Sequence, residues 1–363
     1  MRILLLGEFS GFYTNLKDGL EDLGHEVILA SFSDGYKKIK STDISFDAKA
    51  PGFLGRIENR IRPLMSLPKF KNFDVVQLIN PFVFDFRGFP IKFFLKTIKK
   101  QNKKFFLSAC GADAFYFQKI DQFLEYTPIA DTLKYDFLSN ECKFMSDKAL
   151  VFNKEIADLV DGIIPICYDH SVGYKKQGNL KNIIPLPLNH NKINYSKNVV
   201  KEKLVVFHGL TRYGLKGTRF IEEAFDILQK KYPNHIETII EGNLPLKEYL
   251  KVISRANIIV DQASSYSYGM NALYSMAQGK IVMTGLEKEA LLAFGLSSSP
   301  VINIKPCVNN IVMEIEKILQ DLSLVEKIGK ETRDFVVNHH DYKKIAKMYM
   351  DTWCPQRLSI KGK

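Results

Sequence analysis

The sequence predicts an α/β protein of two parallel-sheet domains, and three observations carry that prediction. Apolar runs of strand length alternate with segments of helical period along the whole chain. The alternation breaks once, in the proline-bearing stretch Ile183–Asn189, and then starts again. At 363 residues the chain has room for two cores of ordinary size.

In the first half, strands are expected at Ile3–Leu6, Glu26–Ala30, Asp74–Ile79, Lys104–Ala109, Ala149–Phe152 and Gly162–Ile166. The apolar start is cut short by Gly7 and Glu8, with no small-residue cleavage site after it, so a buried strand is expected there rather than a signal peptide. A helix with Leu16, Leu20 and Leu23 on one face ends at Gly24, a helix-stop residue. The stretch from Ser31 to Asn72, rich in Pro, Gly and basic residues, is expected to be a long functional excursion. Beyond the Ile183–Asn189 linker, strands are expected at Leu204–His208, Ile236–Glu241, Asn257–Asp261, Lys280–Thr284 and Val301–Ile304. Helices at Thr218–Lys230, Leu246–Arg255, Gly269–Gln278 and Lys288–Phe294 lie between them. Three helical segments close the chain, the last over Asp341–Trp353. The expected division is residues 1–190, 191–340 and a final segment 341–363.

Composition narrows the class. Hydrophobic residues are 46% and charged residues 25%, as in a globular protein rather than a disordered or membrane-embedded one. No apolar run approaches the ~20 residues that span a bilayer. The five cysteines are scattered without metal-ligand spacing, which argues against a disulfide framework or a zinc site and points to a reducing cytoplasm. The net charge of +11 asks for an explanation. Arg87–Lys104 holds seven basic residues and no acidic one. There Ile91, Phe94, Leu95 and Ile98 form one helical stripe, and Lys92, Lys96, Lys99 and Lys103 the opposite one. Gly52–Phe73 mixes Phe53, Leu54, Leu64, Met65 and Phe70 with Arg56, Arg60, Arg62, Lys69 and Lys71. Two readings stay open for these segments: solvated faces of core-packed helices, or docking on an anionic membrane surface through Arg56–Lys71 and Lys92–Lys104. No nucleic-acid-binding signature accompanies the charge, so no nucleic-acid partner is expected.

Three loops carry chemistry. Gly7-Glu8-Phe9-Ser10-Gly11 joins the first strand to the first helix, where small residues let amides face an anion. Its spacing is not G-x-G-x-x-G and no acidic residue ends the second strand, so a nicotinamide dinucleotide is disfavoured. Gly11 lies either in a ligand-facing loop or in a plain tight turn. His208-Gly209 through Arg212, Lys216 and Gly217 follows the first strand of the second half. Two cations four residues apart on such a loop suit a diphosphate, Arg212 as a bidentate clamp and Lys216 as a mobile point charge. His208 beside it is either a ligand contact or structural. The third loop, Asp261 to Gly269, leads into a helix whose N-terminus would offer amides to a phosphate, with Ser and Tyr available for sugar hydroxyls. Glu287 and Glu289 follow the next strand as helix caps or as sugar contacts.

In these residues the chain resembles the GT-B glycosyltransferases, and within them the large retaining group called glycosyltransferase family 4 or group 1. The resemblance rests on Leu23-Gly24-His25-Glu26-Val27, the proline-rich linker, Arg212…Lys216-Gly217 and Tyr268-Gly269…Met276-Ala277-Gln278-Gly279-Lys280. It implies two Rossmann-like domains facing a central cleft and a final helix, Asp341–Trp353, returning to the first domain. Arg212 and Lys216 would bind the donor diphosphate, and Gly269 and Met270, with Asn271 beside them, would hold phosphate at the helix start. Tyr266 and Tyr274 stand where the family carries two glutamates with seven residues between them. Asp261, Glu287 or Glu289 are the available substitutes. Ser108-Ala109-Cys110-Gly111-Ala112-Asp113 resembles the acceptor-side turn, making Asp113 either a group that orders or deprotonates an acceptor hydroxyl, or a helix cap.

The implied activity is transfer of a hexosyl unit from a nucleotide-diphosphate sugar to a saccharide or lipid-linked acceptor, in bacterial-type surface polysaccharide or glycoconjugate synthesis. The anomeric configuration would be retained. Arg212, Lys216 and Asp113 are the expected catalytic residues. Gly11, His208, Gly209, Lys216, Gly217, Tyr266, Tyr268, Gly269, Met270, Asn271 and Glu287 are the expected donor contacts. Without an Asp-x-Asp motif, neither a metal nor a cofactor other than the donor is expected. The rival readings are a sugar-nucleotide epimerase of the same fold and a non-catalytic nucleotide-sugar or lipid-surface binding protein. The expected location is cytoplasmic, at the inner face of the membrane if the basic segments dock there.

Overall fold

The computed structural model describes residues 1–32, 42–137, 142–242 and 246–355. Its first sheet contains β1 Arg2–Leu6, β2 Glu26–Ser31, β3 Ile44–Ser45, β4 Val75–Leu78, β5 Lys104–Ala109 and β6 Gly162–Pro165. These strands are parallel in the order β3-β2-β1-β4-β5-β6. The helices of this half are α1 Phe12–Asp22, α2 Gly52–Ser66, α3 Ile91–Gln101, α4 Ala114–Lys119, α5 Ile129–Asp131, α6 Asp147–Leu159 and α7 Tyr168–Gly173.

The second sheet contains β7 Leu204–Leu210, β8 Ile236–Gly242, β9 Ile258–Val260, β10 Ile281–Thr284 and β11 Ile302–Asn303. It too is parallel, in the order β11-β10-β9-β7-β8. With it go α8 Thr218–Lys231, α9 Leu246–Arg255, α10 Met270–Ala277, α11 Lys288–Ala293, α12 Val308–Gln320, α13 Ser323–His339 and α14 Tyr342–Trp353. The near-continuous apolar runs of β1, β4, β6 and β10 are buried along their length, as strands covered on both faces require.

The expected strand at Ala149–Phe152 is instead part of α6. A short apolar run has the same composition in a buried strand and in a helix turn. Here the start signal decides: the Ser146 side chain caps the helix by accepting from the Ala149 N–H, and Asp147 lies in the first turn. Ala149, Asn153, Ile156 and Ala157 then face inward at helical spacing. The excursion between Ser31 and Asn72 supplies the edge strand β3 and helix α2, while its residues 33–41 lie outside the described residues. Residues 356–363 of the expected final segment lie outside them as well.

The chain passes between the two sheets twice, side by side. Leu188 N–H donates to the His340 carbonyl at 2.7 Å, and Leu188 pairs with Asp341 as an isolated parallel bridge. After that crossing α14 packs on α1, with Tyr349 and Trp353 sharing a core with Phe12 and Tyr13. Gly19 permits the close approach: a Cβ there would stand 2.3 Å from the Tyr342 carbonyl oxygen. The Trp353 indole N–H donates to Gln77 Oε1 at 2.8 Å, so the last turn of the chain is tied to β4.

Candidate functional site

In each sheet the strand order reverses at one place, between β1 and β4 and between β7 and β9. Connections leave such a point toward opposite sides, opening a crevice beyond the carboxyl ends of the strands. The loop from His208 to Gly217 starts at the end of β7, and Asp261 follows β9. The two meet as a buried ion pair: Lys216 Nζ lies 2.9 Å from Asp261 Oδ1 and also donates to the Gly209 carbonyl at 2.8 Å. One of the three ammonium protons is left without a protein acceptor among the described residues. Asn271 Nδ2 donates to the same Asp261 oxygen at 2.8 Å, from the first turn of α10. Burial would raise the Asp261 carboxyl, but Lys216 beside it and these hydrogen bonds hold it below its usual value. The expectation of a mobile point charge at Lys216 is corrected: the ammonium is fixed by two acceptors.

Gly217 gives the loop its exit. It sits at φ +68° as the residue before α8, and a Cβ there would fall 2.4 Å from Ser264 Oγ. His208 is fully buried beneath. Its Nδ1–H donates to the Val260 carbonyl at 2.8 Å and its Nε2 accepts from the Thr218 hydroxyl at 3.0 Å, so both ring nitrogens serve the fold. Burial first, then the Lys216 charge, holds this imidazole down to about 4. Arg212 is exposed on the loop. Its charge partly offsets the rise that burial imposes on the Tyr116 phenol of the first domain. Gly269, in extended conformation, precedes Met270 at the start of α10; it has no side chain to cap the helix, and a Cβ there would meet nothing within 4 Å.

The aromatic loop faces the other domain. Tyr266 is buried, its hydroxyl accepts from the Glu125 N–H at 3.0 Å, and its ring packs on Tyr126 and Tyr168. Tyr126 donates to Glu287 Oε1 at 2.7 Å, and Asn303 donates to that oxygen at 2.9 Å. Tyr268 is buried too, donating to His340 Nε2 at 2.8 Å beside the crossing. Tyr274 accepts from Asn15 Nδ2 at 3.2 Å. Asp169, which the sequence reading passed over, accepts from the Ser265 hydroxyl and the Tyr266 N–H, each at 2.9 Å. Asp136 accepts from the Gly214 and Leu215 amides, each at 2.9 Å. Asp169 lies 96 and 97 residues from its partners and Asp136 78 and 79, and no local pattern marks them.

The opposite edge, between β1 and β4, is built differently. Gly11, at φ +84°, precedes α1, and its carbonyl accepts from Asn15. The buried Glu8 carboxylate accepts from the Tyr13 N–H at 3.3 Å and the Thr14 N–H at 2.7 Å, closing the helix start. Asp113 is fully buried as the cap of α4: one oxygen accepts from the Tyr116 N–H and the other from the Tyr174 hydroxyl, both at 2.8 Å. Burial pushes its carboxyl up to about 6. Among the described residues, no group of three His, Cys, Asp or Glu side chains could hold a metal ion.

Two parallel sheets in these orders, with the last helix returning to the first, constitute the GT-B fold, and solved structures share it over the whole chain. A mutant of S. aureus TarM in complex with UDP, fondaparinux and α-GlcNAc-glycerol matches at TM-score 0.63 and 11% identity, covering 97% of this chain and 99% of that one. Sucrose-phosphate synthase from Thermosynechococcus elongatus matches at 0.61 and 14% identity, over 97% and 98%. Anabaena HepE in complex with UDP and glucose matches at 0.59 and 11% identity, over 97% and 99%. Comparison with protein-family models finds no match, and comparison with curated proteins finds none either. At such identities the likeness is one of fold.

Proposed function

We propose that the chain is a nucleotide-sugar-dependent glycosyltransferase whose donor diphosphate lies at the β7–β9 edge. The observation that carries this is the Lys216 ammonium fixed through Asp261 beside Asn271 in the first turn of α10, on the same loop as the exposed Arg212. In the transfer the bond between the anomeric carbon and the diphosphate oxygen breaks, a bond to the acceptor oxygen forms, and the acceptor's hydroxyl proton passes to the departing diphosphate. Negative charge grows on the departing phosphate, and cations and amides held in place stabilise it without reorganising. The UDP in the TarM and HepE structures, and the UDP-glucose in a second HepE structure, support a uridine diphosphate donor.

The acceptor in this proposal is a saccharide or lipid-linked hydroxyl entering from the first domain, and the anomeric configuration is retained. Lys216 and Arg212 take the place of a metal in balancing charge. The finer setting, surface polysaccharide or glycoconjugate synthesis in the cytoplasm, belongs to the same proposal. Among the described residues no helix is long and apolar enough to cross a membrane.

The experiment is a thermal-shift screen of the purified protein against nucleotide sugars, followed by product analysis with and without acceptor. A ligand of the folded state raises the melting temperature. Transfer that requires an acceptor supports the proposal. Conversion of the sugar nucleotide alone would assign an epimerase instead, and tight donor binding without turnover over a broad acceptor set would assign a binding protein.

A further inference from the structure

Helix α2 is turned the opposite way from an ordinary surface helix. Toward the protein it places Gly55 and Pro63, both buried. Toward solvent it places Phe53, Leu54, Ile61 and Met65, exposed by 67%, 66%, 46% and 71%. At 100° per residue these four fall within one third of the helix circumference, so they form a single apolar face. An apolar stripe is what a helix normally buries, and a contiguous exposed one marks a surface that meets something else.

The surroundings of that face are cationic. Arg56 and Arg60 flank it on α2. On α3, Phe94, Leu95 and Ile98 are buried, which turns Lys92, Lys96 and Lys100 outward together with Phe93, 63% exposed. Both helices cover the same side of the first sheet: Leu64 from α2, with Leu67 directly after it, and Phe94, Leu95 and Ile98 from α3 pack into one core. Arg62 pairs with Glu58 and Lys92 with Glu155, whereas among the described residues Arg56, Arg60, Lys96 and Lys100 form no ion pair. A second copy of the chain would bring like charges together on a protein of net charge +11.

We infer that this side of the first domain docks on an anionic phospholipid bilayer. The α2 face enters the headgroup–acyl boundary, and Arg56, Arg60, Lys96 and Lys100 meet the lipid phosphates. An apolar face with flanking Lys and Arg has both parts that interfacial binding needs, buried apolar area and attraction to negative headgroups. The site is separate from the β7–β9 edge and stands whether or not the catalytic proposal does.

The test is flotation of the full chain with vesicles of phosphatidylglycerol mixed with phosphatidylcholine, against vesicles of phosphatidylcholine alone. Binding to the mixed vesicles, weakened by high salt, is expected. The Lys96→Ala/Lys100→Ala variant should bind on the order of 25-fold more weakly, at roughly fivefold per basic residue. The Leu54→Ser/Ile61→Ser/Met65→Ser variant should lose flotation and keep the wild-type melting temperature. Failure of the wild type to float would overturn the inference, as would flotation retained by the triple variant. A melting temperature lowered in that variant would place these side chains in a core. A wild-type dimer in light scattering that Ile61→Ser splits would assign the face to a second copy. Either of these outcomes overturns the inference too.

Discussion

Both sheets end a central strand on a glycine-bearing loop near a helix start, yet the two edges are finished differently. At the β1 edge the protein closes its own helix: Glu8 accepts from the Tyr13 and Thr14 amides, placing a carboxylate where an anion would sit. At the β9 edge α10 starts at Met270 behind Gly269, which has no side chain to cap with and open space at its Cβ, beside the Lys216–Asp261 pair. A helix start attracts an anion only while its amides and partial positive charge remain available. Under the proposed function, the contrast sets an edge closed by its own carboxylate against the one where the donor phosphate is expected.

Lys216→Ala breaks the comparison most sharply. Turnover should fall at least about a hundredfold, as for loss of one preorganised transition-state donor. The same change leaves Asp261 buried without its cation, at a cost of about 3–5 kcal/mol. Pairing Lys216→Met with Asp261→Asn separates the two effects. Denaturant unfolding should show stability regained, while the assay shows turnover still lost. Turnover that returns with stability would mean that Lys216 serves the fold alone.

The pH dependence comes next in size. Burial holds His170, His208 and His340 each at about 4. The unfolded chain protonates these rings near 6.5, so their contribution is complete above that pH and is lost as pH falls toward 4, about 3 kcal/mol for each ring. Asp113, pushed up to about 6, works the other way: the folded chain keeps a proton that the unfolded chain releases, so acid favours the fold through that window. The net expectation is a loss of stability between about pH 6.5 and 4. His208→Gln should flatten that slope by one ring's share, read from unfolding curves at several pH values; an unchanged slope would show that His208 is not held neutral.

Two smaller changes sharpen the contrast from either side. Glu8→Gln should cost about 1–2 kcal/mol through the weakened cap, with donor affinity unchanged in calorimetry. Gly269→Asp, at a φ any residue adopts and with open space for its Cβ, should add a few tenths of a kcal/mol as a cap. Its carboxylate would compete with the phosphate, raising the donor Kd about tenfold, in line with the worth of charges at a helix start. Equal donor affinity in that variant would move the phosphate away from α10.

Much of this arrangement could be read from the chain before folding. The strand runs placed both sheets, and the glycine-flanked loop placed Arg212 and Lys216 beyond the carboxyl end of β7. The returning helix at Asp341–Trp353 followed from the resemblance and is present as α14. Other features had no local signal. Lys216 and Asp261 are 45 residues apart, and Tyr266 and Glu125 are 141 apart. Asp113 has the same spacing to its neighbours whether it caps a helix or faces a substrate. For α6 an apolar tetrapeptide suited either a strand or a helix, and the Ser146 cap settled it.

The sequence by itself determined the alternation of strands and helices and the excess of cations, because periodicity and net charge are local or additive properties. Only the tertiary structure decided which charges are buried in pairs, which helix starts are closed by the protein's own carboxylates, and which way the apolar stripe of α2 faces. Those outcomes depend on what other segments bring within about 3 Å, the reach of a hydrogen bond, and no single stretch of chain contains that information.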